Sequence, residues 1–151
     1  MKRMNRVIAG CVGTVLVAGC ATRVAMTSTR REDVRAQSIT LASTARDLAG
    51  NVRSRTLDPA QEPAREAIVK FNDAAVQFST TAARWSDEDT VGLRYEELIR
   101  AWVQVKRTFS TLPADRLLTD AYQRVTAQWI KLQHSSGNAG VRYERSLDSK
   151  Q

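Results

Sequence analysis

Three hydrophobic rhythms divide the chain. Val7 to Ala18 is an almost unbroken apolar run, and from Val34 to Leu132 apolar residues recur at three- and four-residue steps. From Asn138 to Gln151 no apolar repeat remains. Steps of three and four place side chains on one face of an α-helix, so the middle region predicts amphipathic helices. Strand-like alternation and Asn-Gly hairpin turns are missing, which predicts an all-α fold.

The middle region breaks into four such seams. Thr29-Arg30-Arg31-Glu32 has the form of a capping box, and beyond it Val34, Leu41, Ala45, Leu48 and Val52 form the first seam, with Ser38 filling its gap. Gly50-Asn51 offers an early stop, but Val52 keeps the register and extends the helix to about Arg55. Asp58-Pro59 supplies an N-cap and a first helical residue, although Pro63 shifts the start toward Glu62. The second seam is Ala64, Ala67/Ile68, Phe71, Ala74/Ala75, Phe78, Ala82 and Trp85. Ser86-Asp87-Glu88-Asp89 caps a third helix with acids where its dipole favours them, and the seam runs Val91, Tyr95, Leu98, Trp102, Val105, Phe109, Leu112. Pro113 is read as opening the fourth, with Leu118, Ala121/Tyr122, Val125, Trp129 and Leu132, and Ser135-Ser136-Gly137 as its end.

Helices of roughly 21 to 27 residues joined by short turns predict an antiparallel up-down-up-down four-helix bundle over residues 29–134. Residues 135–151 are read as a mobile tail. Two hairpins pairing into a homodimer would give the same pattern.

The first rhythm has a different meaning. Lys2, Arg3 and Arg6 precede the apolar run, which is too short to span a bilayer, since spanning takes about 20 apolar residues. A basic n-region, an apolar h-region and a small-residue end make a secretory signal peptide. Its last residues, Val17-Ala18-Gly19-Cys20, resemble the lipobox of bacterial lipoproteins. Ile8-Ala9-Gly10-Cys11 fits the same four positions, but only Val7 and Ile8 precede it as apolar core, so Cys11 reads as part of the h-region.

That resemblance covers the first twenty residues only. It implies acylation of the Cys20 thiol and cleavage between Gly19 and Cys20. Two or three acyl chains then give stable anchoring where one would be marginal. Ala21 stands where aspartate marks inner-membrane retention in enterobacterial lipoproteins, so the inner leaflet of the outer membrane, on the periplasmic side, is the expected address. Residues 20–28 become the lipidated cysteine and a tether.

Composition is then recounted for the processed chain. Losing Lys2, Arg3 and Arg6 takes the basic residues from 23 to 20 against 16 acids, so the net charge falls from +7 to +4. Of the two cysteines only Cys20 remains, so no intrachain disulfide is available and stability has to come from packing.

Chemistry is sparse. His134 is the lone histidine and stands at a predicted helix end, where a charge near the last carbonyls is its plainest role. No metal site is expected, because Glu-x-x-His pairs are lacking and Glu62/Glu66 and Glu96-Glu97 read as solvated faces. Met26 and His134 stand at places loosely similar to the ligand positions of periplasmic four-helix cytochromes. Met26 precedes the predicted first helix, however, and the Cys-x-x-Cys-His attachment is missing, so no cofactor is expected. Nor is the Leu-Thr-x-x-Gln motif of periplasmic helical chaperones present.

Two features remain. The aromatics fall on or beside the seams and read as core, with a pocket for a hydrophobic ligand as the alternative. Arg23, Arg30, Arg31 and Arg35 crowd the start of the first helix, where cations oppose the macrodipole. Anionic headgroups are the candidate contact, solvated surface is the alternative, and on either reading the cluster is expected to be dispensable for folding. The sequence thus predicts a non-enzymatic, lipid-anchored envelope module with a protein partner. A small-ligand- or haem-binding bundle is the alternative. The expected compartment rules out nucleic acid.

Overall fold

A computed structural model describes residues 28–137 together with Glu144 and Leu147. The signal peptide, the lipobox residues Val17, Ala18, Gly19 and Cys20, Arg23 and Met26 lie outside the described residues. Among those described there is no strand. Four helices, α1 (Ser28–Arg53), α2 (Glu62–Arg84), α3 (Glu88–Thr108) and α4 (Arg116–Ser135), form an all-α four-helix bundle.

Each seam is where the period places it. Val34, Leu41, Ala45, Leu48 and Val52 on α1 are buried, as is Ser38, whose hydroxyl donates to the Arg35 carbonyl at 2.7 Å. That bond is what lets a hydroxyl fill an apolar seam without an unpaired donor. Ala64, Ala67, Ile68, Phe71, Ala75, Phe78 and Ala82 line α2, and Val91, Tyr95, Leu98, Trp102 and Val105 line α3. Leu118, Ala121, Val125, Trp129 and Leu132 complete the core from α4. Ile99 and Val103 are buried as well, because α3 covers an arc wider than one seam.

The boundaries differ from expectation in three places. Helix α1 begins at Ser28, one residue ahead of the predicted cap Thr29, and stops at Arg53 instead of Arg55. Gly50 does not end it: the residue faces solvent with open space around its α-carbon, so the chain tolerates it mid-helix. Pro59–Gln61 forms a separate 3-10 turn and α2 begins at Glu62, with Pro63 at an early position that needs no amide donor.

The third difference is a correction. Pro113 does not open α4. The helix starts at Arg116 because Asp115, in extended conformation, accepts the Leu118 amide on its carboxylate at 3.0 Å. A 3-10 turn, Phe109–Thr111, ends α3 before Leu112, so Leu112 is buried from the connection and not from the helix.

Contacts at the helix ends tie the elements together. Arg31 at the start of α1 reaches Glu88 at the start of α3, and Arg35 reaches Ala82 in the last turn of α2. Tyr95 near the start of α3 bonds Ser136 just past α4. At the opposite end Arg55, beyond α1, pairs with Asp115 ahead of α4 at 2.8 Å. Helix α1 packs closely on α2 and α4, and α2 on α3, whereas α3 and α4 are not among the closely apposed pairs. Aromatic rings fill the space between those two.

Candidate functional site

The basic start of α1 is the first candidate, and its geometry resolves why cations stand at a helix N-terminus. Their partners belong to neighbouring helices. Arg35 Nε donates to the Ala82 carbonyl at 2.9 Å, in the electronegative last turn of α2. Arg31 donates to Glu88 at 2.8 Å and lies over the Trp85 ring, 5.5 Å from its centroid. Arg30 is exposed, and its guanidinium reaches the end of α4: a Cβ placed on Gly137 would meet it at 3.1 Å. Gly137 holds φ +73, the left-handed conformation that favours glycine there. Of the four arginines of the predicted cluster, Arg31 and Arg35 are therefore committed to the bundle, Arg30 faces solvent, and Arg23 lies outside the described residues.

Trp85 is the joint between α2 and α3. It ends α2 in the left-handed region, φ 38, a conformation rare for a large side chain. Its indole is 9% exposed and Nε1 has no hydrogen-bond partner among the described residues. Two residues on, the Asp87 carboxylate accepts the Thr90 amide at 2.6 Å. That bond is the main reason its pKa lies below the ordinary carboxylate value. Asp115 is likewise lowered, chiefly by the Arg55 guanidinium and then by the Leu118 amide.

Between α3 and α4 the aromatics form a continuous contact chain. Phe71 meets Trp102 at 5.2 Å, Trp102 meets Tyr122 at 5.6 Å and Trp129 at 5.7 Å, and Tyr95 joins Trp129 at 6.3 Å. Phe109 stacks on Tyr122 at 4.0 Å. The rings fill this space with one another, as a core does. Burial pushes the Tyr95 hydroxyl up to about 12; its bond to Ser136 at 2.9 Å acts the other way and the charge of Glu144 adds to the rise. Burial also raises Tyr122.

Glu144 and Leu147, within the stretch read as a tail, are docked. Glu144 accepts from Gln133 Nε2 at 2.8 Å and Trp129 Nε1 at 3.4 Å and pairs with Lys106, bridging α3 and α4. Leu147 packs on the core, and its carbonyl accepts from Arg107 at 3.2 Å. A detached tail does not describe these two residues. Nothing in their sequence neighbourhood repeats, so no periodicity could have found them.

His134 is exposed on the last turn of α4. Among the described residues no group of three His, Cys, Asp or Glu side chains is placed to hold a metal ion, and no helix is long and apolar enough to cross a membrane. Comparison with known protein families, with curated proteins and with solved structures finds no match for this chain.

Proposed function

We propose that the protein is a lipoprotein of the bacterial envelope, acylated at Cys20 and serving as a non-enzymatic helical interaction module on the periplasmic side. The observation that carries this reading is the sequence from Lys2 to Cys20, where basic n-region, apolar h-region and lipobox stand in the required order. The inner leaflet of the outer membrane is the proposed address, on the strength of Ala21 after the acylated cysteine.

The start of the bundle supports the anchored geometry. Helix α1 begins at Ser28, so residues 21–27 are the whole tether. Fully extended, they reach about 23 Å at roughly 3.3 Å per residue. The end carrying Arg30 and Arg31 would then stay close to the headgroups. Exposed Arg30, with Arg23 on the tether, contributes to anionic lipid contact about 1 kcal/mol per residue. A periplasmic protein partner and a homodimer both remain compatible with a bundle exposing Ile39, Leu93, Leu117 and Ile130.

The test is processing. Cys20→Ser should leave an uncleaved precursor, as should an inhibitor of the lipoprotein signal peptidase. A Cys20→Ser protein that is still trimmed to a mature chain would reject the reading.

A further inference from the structure

An uncharged face remains unassigned where α1 and α2 lie side by side. Residues 36–45 of α1 and 74–83 of α2 hold no charged side chain, although 26% of the chain is charged. Each stretch runs about 15 Å at 1.5 Å per residue. They stand at one level, because Arg35 beside the first bonds Ala82 in the second. Ile39, Ser43 and Arg46 border a hollow of about 410 Å³ together with Val76, Ser79 and Thr80. Val76 and Thr80 also border a second hollow, of about 360 Å³, on the side of Arg94. The two residues thus form a ridge between grooves, and Ile39 stands beside it 59% exposed. Depletion of charge is what marks the centre of a protein interface.

Charges return at the four corners of this face, and their signs alternate. At the end next to the tether, Asp33 on α1 stands level with Arg84 on α2. At the other end Arg46 on α1 stands level with Asp73 on α2, and all four are exposed. We propose that this face is a homodimer interface, with α1 of a second copy of this chain laid on α2. A half-turn about the line between the two helices produces that arrangement and keeps every corner at its level. Asp33 then meets the partner subunit's Arg84, Arg46 meets the partner subunit's Asp73, and Ile39 lies over the partner subunit's Thr80. A half-turn across the helices would match opposite charges too, Asp33 with Arg46 and Arg84 with Asp73, but it sends the two tethers to opposite ends. The lengthwise axis alone keeps both chains on one membrane, so the orientation rests on the proposed Cys20 anchor. Confinement to that membrane also raises the effective concentration, which favours a face of this size.

Cysteine pairing in envelope membranes tests this. Full-length Ile39→Cys and Thr80→Cys chains, co-expressed with tags of different length, should form a mixed disulfide on mild oxidation. Ile39→Cys expressed alone should link poorly, and Leu93→Cys and Ile130→Cys, at exposed apolar positions on α3 and α4, should not link. Arg46→Glu in both chains should cut the mixed disulfide by on the order of tenfold, with the melting temperature unchanged. Adding Asp73→Arg to the same chains should restore it, whereas the crosswise dimer would be weakened further. Absence of the mixed disulfide, efficient linking of Ile39→Cys to itself, or no rescue by Asp73→Arg would each overturn the proposal. The mature N-terminus of the same sample separates this reading from the anchor. Acylated Cys20 without the mixed disulfide rejects the interface alone, and the mixed disulfide on unacylated chains supports the interface and rejects the anchor.

Discussion

The two sides of the bundle are built on opposite principles. Helices α1 and α2 are rich in buried alanine: Ala42, Ala45 and Ala49 on one, Ala64, Ala67 and Ala75 on the other. Small side chains let helix backbones approach, and these two helices are closely apposed. Where α3 meets α4 the seams carry Tyr95, Trp102, Phe109, Tyr122 and Trp129, and the helices stand apart around the rings. The wide side needs covering, and Glu144 and Leu147 supply part of it by bonding Trp129, Gln133, Lys106 and Arg107.

The largest expected effect lies on the wide side. Trp102 is 2% exposed and touches Phe71, Tyr122 and Trp129, so Trp102→Ala should destabilise by about 3–5 kcal/mol in denaturant titration. An effect under about 1 kcal/mol would mean that the rings do not set the α3–α4 spacing. On the close side the sign of the size change reverses. Ala45 is fully buried, and Ala45→Leu should cost about 1–3 kcal/mol by overpacking. If a leucine there stabilises instead, the two sides do not differ in the way described.

Tyr95 sharpens the comparison, because its hydroxyl is the polar point of the ring cluster. Tyr95→Phe should cost about 1 kcal/mol through the lost Ser136 bond. The alkaline limb carries a second signature. The folded pKa stands above the ordinary value of 10, so the buried neutral form is fully stabilising below pH 10. That stability is lost as pH rises through about 12, and Tyr95→Phe should flatten this loss in pH-dependent melting. Acid acts on the caps instead. Asp87 and Asp115 have lowered folded values, so their contribution is present above the ordinary 3.8 and is lost as pH falls below it. Asp115→Asn should lower the melting temperature at neutral pH and reduce the loss on acidification.

Smallest of all are the surface changes, where the arginines separate from one another. Arg35→Gln should lower the melting temperature, since the last turn of α2 loses its donor. Arg30→Gln should leave melting unchanged and weaken binding to anionic vesicles, less so at high salt as the Debye length falls below about 10 Å. Exposed His134→Ala should do neither.

Much of this architecture is legible in the chain itself, because a period near 3.6 survives wherever a helix buries one face. Val34, Phe71, Trp102 and Trp129 could be assigned to the core on spacing alone. The helix ends were harder. Pro113 is a strong local signal, and Asp115 outcompetes it by accepting an amide, which spacing does not reveal. Trp85 in the left-handed region has no signature, since glycine or asparagine is the usual occupant. The roles of Arg31 and Arg35 were hidden for a different reason. A cation at a helix start looks misplaced until the end of the neighbouring helix is brought beside it. Glu144 and Leu147 act singly, without a repeat to betray them.

The central claim is the anchor, and the mature N-terminus tests it most directly. Mass spectrometry of the protein purified from envelopes should find Cys20 as the first residue, carrying diacylglycerol on sulfur. A mature chain that begins elsewhere, or that begins at an unmodified Cys20, would contradict the account.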